Sequence, residues 1–214
     1  PQPIRNGQTD GFAGLSLQTA MQVPVLTLLD AQGRDLGRLI GWVIYAGQFY
    51  RSNASITLTE AATPEALYPL LGGRFVMLWQ AGDGRVLLRE DASGNLPAVS
   101  AAALGAVAST VTALEMLAPL EPNVEAMALF DFPARRGFLP FGLTSRRGAR
   151  RLMPNHVLDL ADFSSRRIWP DAAFCSRPAL SPEQIRSCAA EAGQIVRDHM
   201  KALLTQGETI LYLS

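Results

Sequence analysis

Arginine is the residue type most able to do chemistry by its grouping in this sequence. Arg146-Arg-Gly-Ala-Arg-Arg151, with Arg135, Arg136, Arg166 and Arg167, is the densest run of charge. A guanidinium presents planar donors that match phosphate and carboxylate, and arginines gathered on one face can hold an anion or a nucleic acid. No aromatic residues interleave with the run. The 19 Lys and Arg residues are balanced by 19 Asp and Glu, so the chain has no net field to attract a polyanion. The run therefore reads as a solvated loop or a domain-interface patch, and nucleic acid is not the expected partner. His156 and His199 stand far apart, with no Cys/His spacing of a metal site, and both read as structural. Cys175 and Cys188 form no disulfide framework and read as reduced thiols of a cytosolic protein. Cys175 has no base near it in sequence and does not read as a nucleophile. Asp91 opens the segment Asp91-Ala-Ser-Gly-Asn95, where an aspartate commonly accepts from the backbone of its own turn.

These residues sit on a framework of short apolar strands. Hydrophobic residues make up 48% of the 214 and charged residues 18%, which suits a globular chain with a sizeable core and excludes a disordered one. The length fits one large domain, or one domain and the start of another. No segment is apolar for long enough to span a bilayer, and the N-terminal residues lack a signal-peptide pattern. A cytoplasmic location and no membrane partner are expected.

The patterns 23–29, 38–45 and 52–59 predict strands. Thr63-Pro64-Glu65 predicts a helix start, with Thr63 as N-cap and Pro64 in the first helical position; the helix ends near Gly72-Gly73. Residues 74–80 and 85–89, joined by Gly82-Asp-Gly84, predict a hairpin. A strand over 103–108 leads to a helix over 112–117. Gly137 to Arg151 reads as loop, and 155–160 with 166–169 reads as a strand pair. Many strands and few helices predict an α+β class. Ser181-Pro-Glu-Gln184 is a capping box, and Ile185, Cys188, Ala189, Ala192, Ile195, Val196, Met200 and Leu203 then recur at helical spacing. Gln206-Gly207 ends that helix, and 209–213 predicts a buried strand, so the last stretch looks like the opening of a parallel α/β domain.

Five segments, in order, resemble the asparagine synthetase family. Gly11-Phe-Ala-Gly-Leu15 is similar to the family's C-G-I-A-G-I start. Gly73-Arg-Phe-Val-Met-Leu-Trp-Gln80 followed by Arg89-Glu-Asp-Ala-Ser-Gly94 resembles its hairpin and R-D-x-x-G turn. Ala106-Val-Ala-Ser109 and the helix after it resemble the A-S-E helix. Arg150 to Leu158, continuing to Trp169, resembles the loop that ends L-P-P-G-H-Y-L…W, and Glu208 to Ser214 resembles the strand before the synthetase domain's S-G-G-x-D-S phosphate loop. The resemblance implies an Ntn-type αββα sandwich of antiparallel sheets over 1–170. Residues 171–214 are then a linker and the first helix and strand of a PP-loop synthetase domain.

The family hydrolyses glutamine with an N-terminal cysteine whose α-amine is the base. Here Asp10 occupies the cysteine's position, and a carboxylate is no thiolate. The family's R-G-P-D and N-G-E segments, which hold glutamine, have no counterpart. Asp91 matches the family aspartate that holds the substrate's α-amino group, and is the one substrate-binding candidate the resemblance supplies. No catalytic residue is expected. The implied role is a non-catalytic glutaminase-like domain of an ATP-dependent amide-forming ligase, as in β-lactam synthetases and lasso-peptide cyclases, where the substrate supplies its own amine. No cofactor is expected in this chain. ATP and Mg belong to the synthetase domain, which, on the same chain or a partner chain, is the expected partner. The alternative is a stand-alone interaction module that uses the Arg-rich loop.

Overall fold

The fold starts from short apolar stretches separated by turn residues, each of which needs a neighbour to satisfy its backbone. The structure, a computed structural model, describes residues 7–59, 62–134, 137–176 and 178–205. Its strands are β1 (Gly7–Phe12), β2 (Leu15–Ala20), β3 (Val25–Leu29), β4 (Asp35–Tyr45), β5 (Gln48–Tyr50), β6 (Ala54–Thr57), β7 (Gly72–Gln80), β8 (Val86–Glu90), β9 (Val99–Ala101), β10 (Ala106–Ala108), β11 (Ala149–Arg151), β12 (His156–Asp159) and β13 (Ser165–Arg167). Its helices are α1 (Pro64–Leu67), α2 (Val111–Glu115), α3 (Val124–Leu129), α4 (Ala172–Cys175) and α5 (Pro182–Leu204). The class is α+β, as the strand-rich pattern predicts.

Among the described residues the strands form three sheets. The largest runs β13-β12-β8-β7-β4-β3-β6, with β5 paired to the end of β4. It is antiparallel except at one edge, where β6 lies parallel to β3. β6 reaches that edge because the chain between it and β3 crosses through β4 and β5. Strands β9, β10 and β11 form a second sheet in the order β10-β9-β11, and β1 with β2 forms a separate hairpin.

β7 shows how the layers stack. Phe75, Val76, Met77, Leu78 and Trp79 are all buried, although side chains alternate between the faces of a strand. Both faces of the large sheet are therefore covered there. Phe75, Met77 and Trp79 join Leu26, Leu28, Leu39, Val43 and Leu87 against Leu67 and Tyr68 of the α1 segment. Val76, Leu78, Leu88 and Leu158 face the other way, onto Phe12 of the hairpin and onto Ala98, Val107 and Leu152 of the second sheet. The outer face of that sheet, Val99, Ala101 and Ala149, is capped by Leu114 and Val111 of α2. The order is helix, sheet, sheet, helix. Each large aliphatic side chain buried this way stabilises the fold by about 1.5–3 kcal/mol. The sheet is tight enough that Gly41, at φ +113°, would place a Cβ 2.3 Å from the Arg74 carbonyl oxygen, so a glycine is required there.

Local signals explain most boundaries. Thr63 caps α1 by accepting from the Ala66 N–H at 3.2 Å, with Pro64 next. Ser181 and Gln184 form the capping box of α5 at 3.3 and 2.8 Å. Three features depart from the sequence reading. The strand expected over 103–108 is shorter, β10 alone, and is preceded by a 3-10 turn at Ala102–Leu104 and an antiparallel partner, β9, that the sequence reading did not include. Gly105 at φ +56° stops that turn and reverses the chain. The β1–β2 hairpin is not anticipated as a hairpin, because Ala13 (φ 49°) and Gly14 (φ 79°) make its two-residue turn without the usual Asn-Gly or Asp-Gly pair. Helix α3, capped by Asn123, falls within a stretch that carries no marked helical period.

Helix α5 is docked only by its last turns. Ala202 is buried and the helix touches β4 and β5 there. The ring of His199 abuts Gly72 so closely that a Cβ on Gly72 would lie 2.5 Å from it, which gives His199 the structural place expected of it. Upstream, Ile185, Ile195 and Val196 are 55%, 49% and 60% exposed. The strand expected over 209–213 lies outside the described residues. Among the described residues no helix is long and apolar enough to cross a membrane.

Candidate functional site

Asp10 lies in β1, opposite Leu17 of β2 and just before the hairpin turn. Its carboxylate is taken up by Arg38 of β4. Arg38 Nε donates to Asp10 Oδ2 at 2.5 Å, and the Gly11 N–H donates to Oδ1 at 2.7 Å. The same guanidinium donates through Nη1 to Asp35 Oδ1 at 2.6 Å, and through Nη2 to the Gly11 carbonyl at 3.0 Å. Arg38 is 5% exposed and its Cζ stands 5.3 Å from the Phe12 ring centroid. Burial alone would pull the Arg38 pKa down, but the hydrogen bonds to Asp10 and Asp35 reverse that and raise it. The Arg38 hydrogen bond likewise holds the Asp10 carboxyl below its usual value, against the smaller effect of burial. A carboxyl lowered in this way stabilises the fold above its unfolded pKa of 3.8 and stops doing so as pH falls through the folded value, so this anchor is lost only in acid.

Beside the hairpin turn lies an open depression of about 490 Å³, lined by Gly11 to Ser16, Asp35 and Gln80. Ser16 is the one hydroxyl among these residues, and they include no thiol, histidine or lysine that could act as nucleophile or base.

Asp91 is elsewhere, at the end of β8, and is 3% exposed. Its Oδ1 accepts from the Ser93 N–H at 3.0 Å and from Asn95 Nδ2 at 3.2 Å. Its Oδ2 accepts from the N–H groups of Asn95 and Leu96 at 3.1 and 3.2 Å. Both oxygens serve the turn that carries the chain from the large sheet to the second one. Asp10 and Asp91 are thus held by separate networks, Asp10 by the hairpin and Arg38, Asp91 by its own turn.

Next to Asp91 stand two charged groups that sequence reasoning did not single out. Glu90 is 1% exposed. Arg89 stacks with its Cζ 3.2 Å from the Tyr68 ring centroid, and burial lowers its pKa. Arg38 stands in an otherwise apolar strand, and the short run Arg89-Glu90-Asp91 gives no sign that its charges face inward.

The Arg-rich loop is largely used within the fold. Arg146 pairs with Glu115 at 2.6 Å, Arg147 with Glu125 at 2.8 Å, and Arg151 Nη2 reaches the Gly94 carbonyl at 3.4 Å. Arg150, Arg166 and Arg167 are exposed, and Arg135 and Arg136 lie outside the described residues. His156 turns Nδ1 to the Pro154 carbonyl at 3.0 Å. Cys175 and Cys188 are both exposed. Among the described residues no group of His, Cys, Asp and Glu could hold a metal ion. Comparison with protein-family models, curated proteins and solved structures returned no match.

The Asp91 geometry sets a testable cost. Asp91→Ala removes the buried acceptor of three part-buried backbone N–H groups, and urea unfolding is expected to show a loss of about 1–3 kcal/mol. Asp91→Asn, which keeps one acceptor oxygen, is expected to lose less. A neutral Asp91→Ala would mean that the turn does not depend on this carboxylate.

Proposed function

We propose that this chain is a glutaminase-like domain that has lost its chemistry and persists as a scaffold of an asparagine-synthetase-like, ATP-dependent amide-forming ligase. The observation that carries the reading is the state of Asp10. It stands directly before Gly11-Phe-Ala-Gly14, where the family has its nucleophile, and its carboxylate is engaged by Arg38 and by the Gly11 N–H. A group held in that way neither attacks a carboxamide nor accepts a proton from one. The layering of α1, large sheet, second sheet and α2 is the order of an αββα sandwich, and so supports the Ntn-type fold. The hairpin β7–β8, the Asp91 turn and the pair β12–β13 fall on the segments that carry the resemblance. Because Asp91 spends its oxygens on its own turn, we read it as a retained piece of framework and not as a substrate-binding residue. The internal pairing of Arg146 and Arg147 weighs against a stand-alone module built on the Arg-rich loop.

In this reading residues 1–170 form the scaffold and 171–214 begin the synthetase domain. ATP and Mg are used by that domain, and the carboxylate it activates is attacked by an amine of the substrate itself. The exposed apolar stripe of α5 supports the division: Ile185, Ile195 and Val196 lack cover among the described residues, as the opening helix of another domain would.

Purified chain incubated with glutamine is expected to release no ammonia above a heat-inactivated control, and Asp10→Ala is expected to leave that result unchanged. Release that disappears in Asp10→Ala would overturn the reading. A version ending at Pro170 is expected to stay folded, losing no more than about 2–3 kcal/mol for the contacts of the last turns of α5. Global unfolding of that version would place α5 in the core of the first domain.

A further inference from the structure

Glu90 is the most deeply buried carboxylate among the described residues, and nothing in the proposed function uses it. It closes β8 on the side of Leu88, the side that meets the second sheet. Its Oε1 accepts from the N–H of Ala98, the residue just before β9, at 2.5 Å. Its Oε2 is buried with no hydrogen-bond partner among the described residues. Gly94 packs close to that oxygen, with Pro154 on the same side of the glycine. A Cβ on Gly94 would lie 2.7 Å from Oε2 and 2.9 Å from Cγ of Pro154. One carboxyl group at the end of β8 therefore bonds the start of β9 and lies against the Asp91 turn.

The charged groups near it come from several elements. Asp91 adds negative charge from the turn, and Arg151 adds positive charge from β11. The Tyr68 hydroxyl, next to α1, donates to the Glu90 carbonyl at 2.8 Å, and Arg89 stacks on that Tyr68 ring. His156, at the start of β12, faces the carbonyl of Pro154.

We propose that Glu90 is a proton-operated latch between the two sheets, closed while its carboxyl is neutral and loosened when it ionises. A neutral carboxyl with one unpaired oxygen is tolerable in this packing, whereas an anion with an unpaired oxygen is not. Burial pushes the Glu90 carboxyl up to about 7; the Ala98 N–H and Arg151 offset this in part, and Asp91 adds to it. Ionisation is relieved by drawing in the exposed Arg151, whose side chain makes one hydrogen bond among the described residues, the 3.4 Å contact to the Gly94 carbonyl. Arg151 belongs to β11, which pairs with β9, so its movement shifts the second sheet on β8. Because the folded value lies above the unfolded 4.5, the contribution is fully present below 4.5 and is lost as pH rises through about 7.

The test is carboxyl carbon NMR of the full chain across pH, together with hydrogen exchange at Ala98 and Val99. The Glu90 carboxyl is expected to titrate with a midpoint near 7. The Ala98 amide is expected to follow it and, after correction for intrinsic rates, to exchange about tenfold faster at alkaline than at mildly acidic pH. Glu90→Gln should abolish that pH dependence, and Arg151→Gln should move the Glu90 midpoint higher. A midpoint near 4.5, or equal Ala98 protection across the range, would overturn the latch. If Glu90→Gln fails to fold, the titration and exchange of the unmodified chain decide the matter.

Discussion

A guanidinium shut inside a protein must be neutralised, and Arg38 is neutralised from two directions at once. Asp35 comes from its own strand and Asp10 from the β1–β2 hairpin. Removing one partner of a buried ion pair leaves an uncompensated charge, which is far more costly than never having had the pair. An isolated two-stranded hairpin is marginal in water. This one is held to the large sheet by Phe12 in the apolar core and by Asp10 on Arg38. In the proposed reading, the position where a glutaminase carries its nucleophile serves here as an attachment point.

The second sheet depends on a different polar seam. The chain leaves β8 through Glu90 and Asp91 and enters β9 at Val99. In that short crossing Asp91 satisfies the backbone of the turn and Glu90 holds the Ala98 N–H. Apolar packing drives the two sheets together, but it is non-directional. Hydrogen bonds from these two acids set where the second sheet begins. Their network is complete at Asp91 and incomplete at Glu90, and the incomplete member is the one that responds to protons.

How far the sequence reveals this depends on the range of the interaction. Strands β3, β4, β7 and β8 are legible because apolar runs and Gly82-Asp-Gly84 are local signals, and the caps at Thr63 and Ser181 are legible for the same reason. The turn that replaces the first part of 103–108 is not, because an alanine-rich stretch has no alternation to mark a 3-10 turn. The β1–β2 hairpin escapes because Ala13 takes a left-handed conformation that Asn or Asp adopts more often. Asp10 is found through its place before Gly11-Phe-Ala-Gly14. Its partner Arg38 is 28 positions away in a strand that reads as apolar, and only the folded pairing brings them together. Arg146 and Arg147 mislead in the other direction: a dense run looks like a surface for anions until Glu115 and Glu125 are seen beside it.

The claim that Asp10 is an anchor is tested most directly by a double-mutant cycle on Asp10 and Arg38, with Asp10→Ala, Arg38→Met and the pair compared by urea unfolding. Because Asp10 is partly exposed, a coupling of about 1–2 kcal/mol is predicted, with the double variant more stable than the two single losses would add up to. A coupling indistinguishable from zero would show that the two side chains do not depend on each other, and would free Asp10 for some other role.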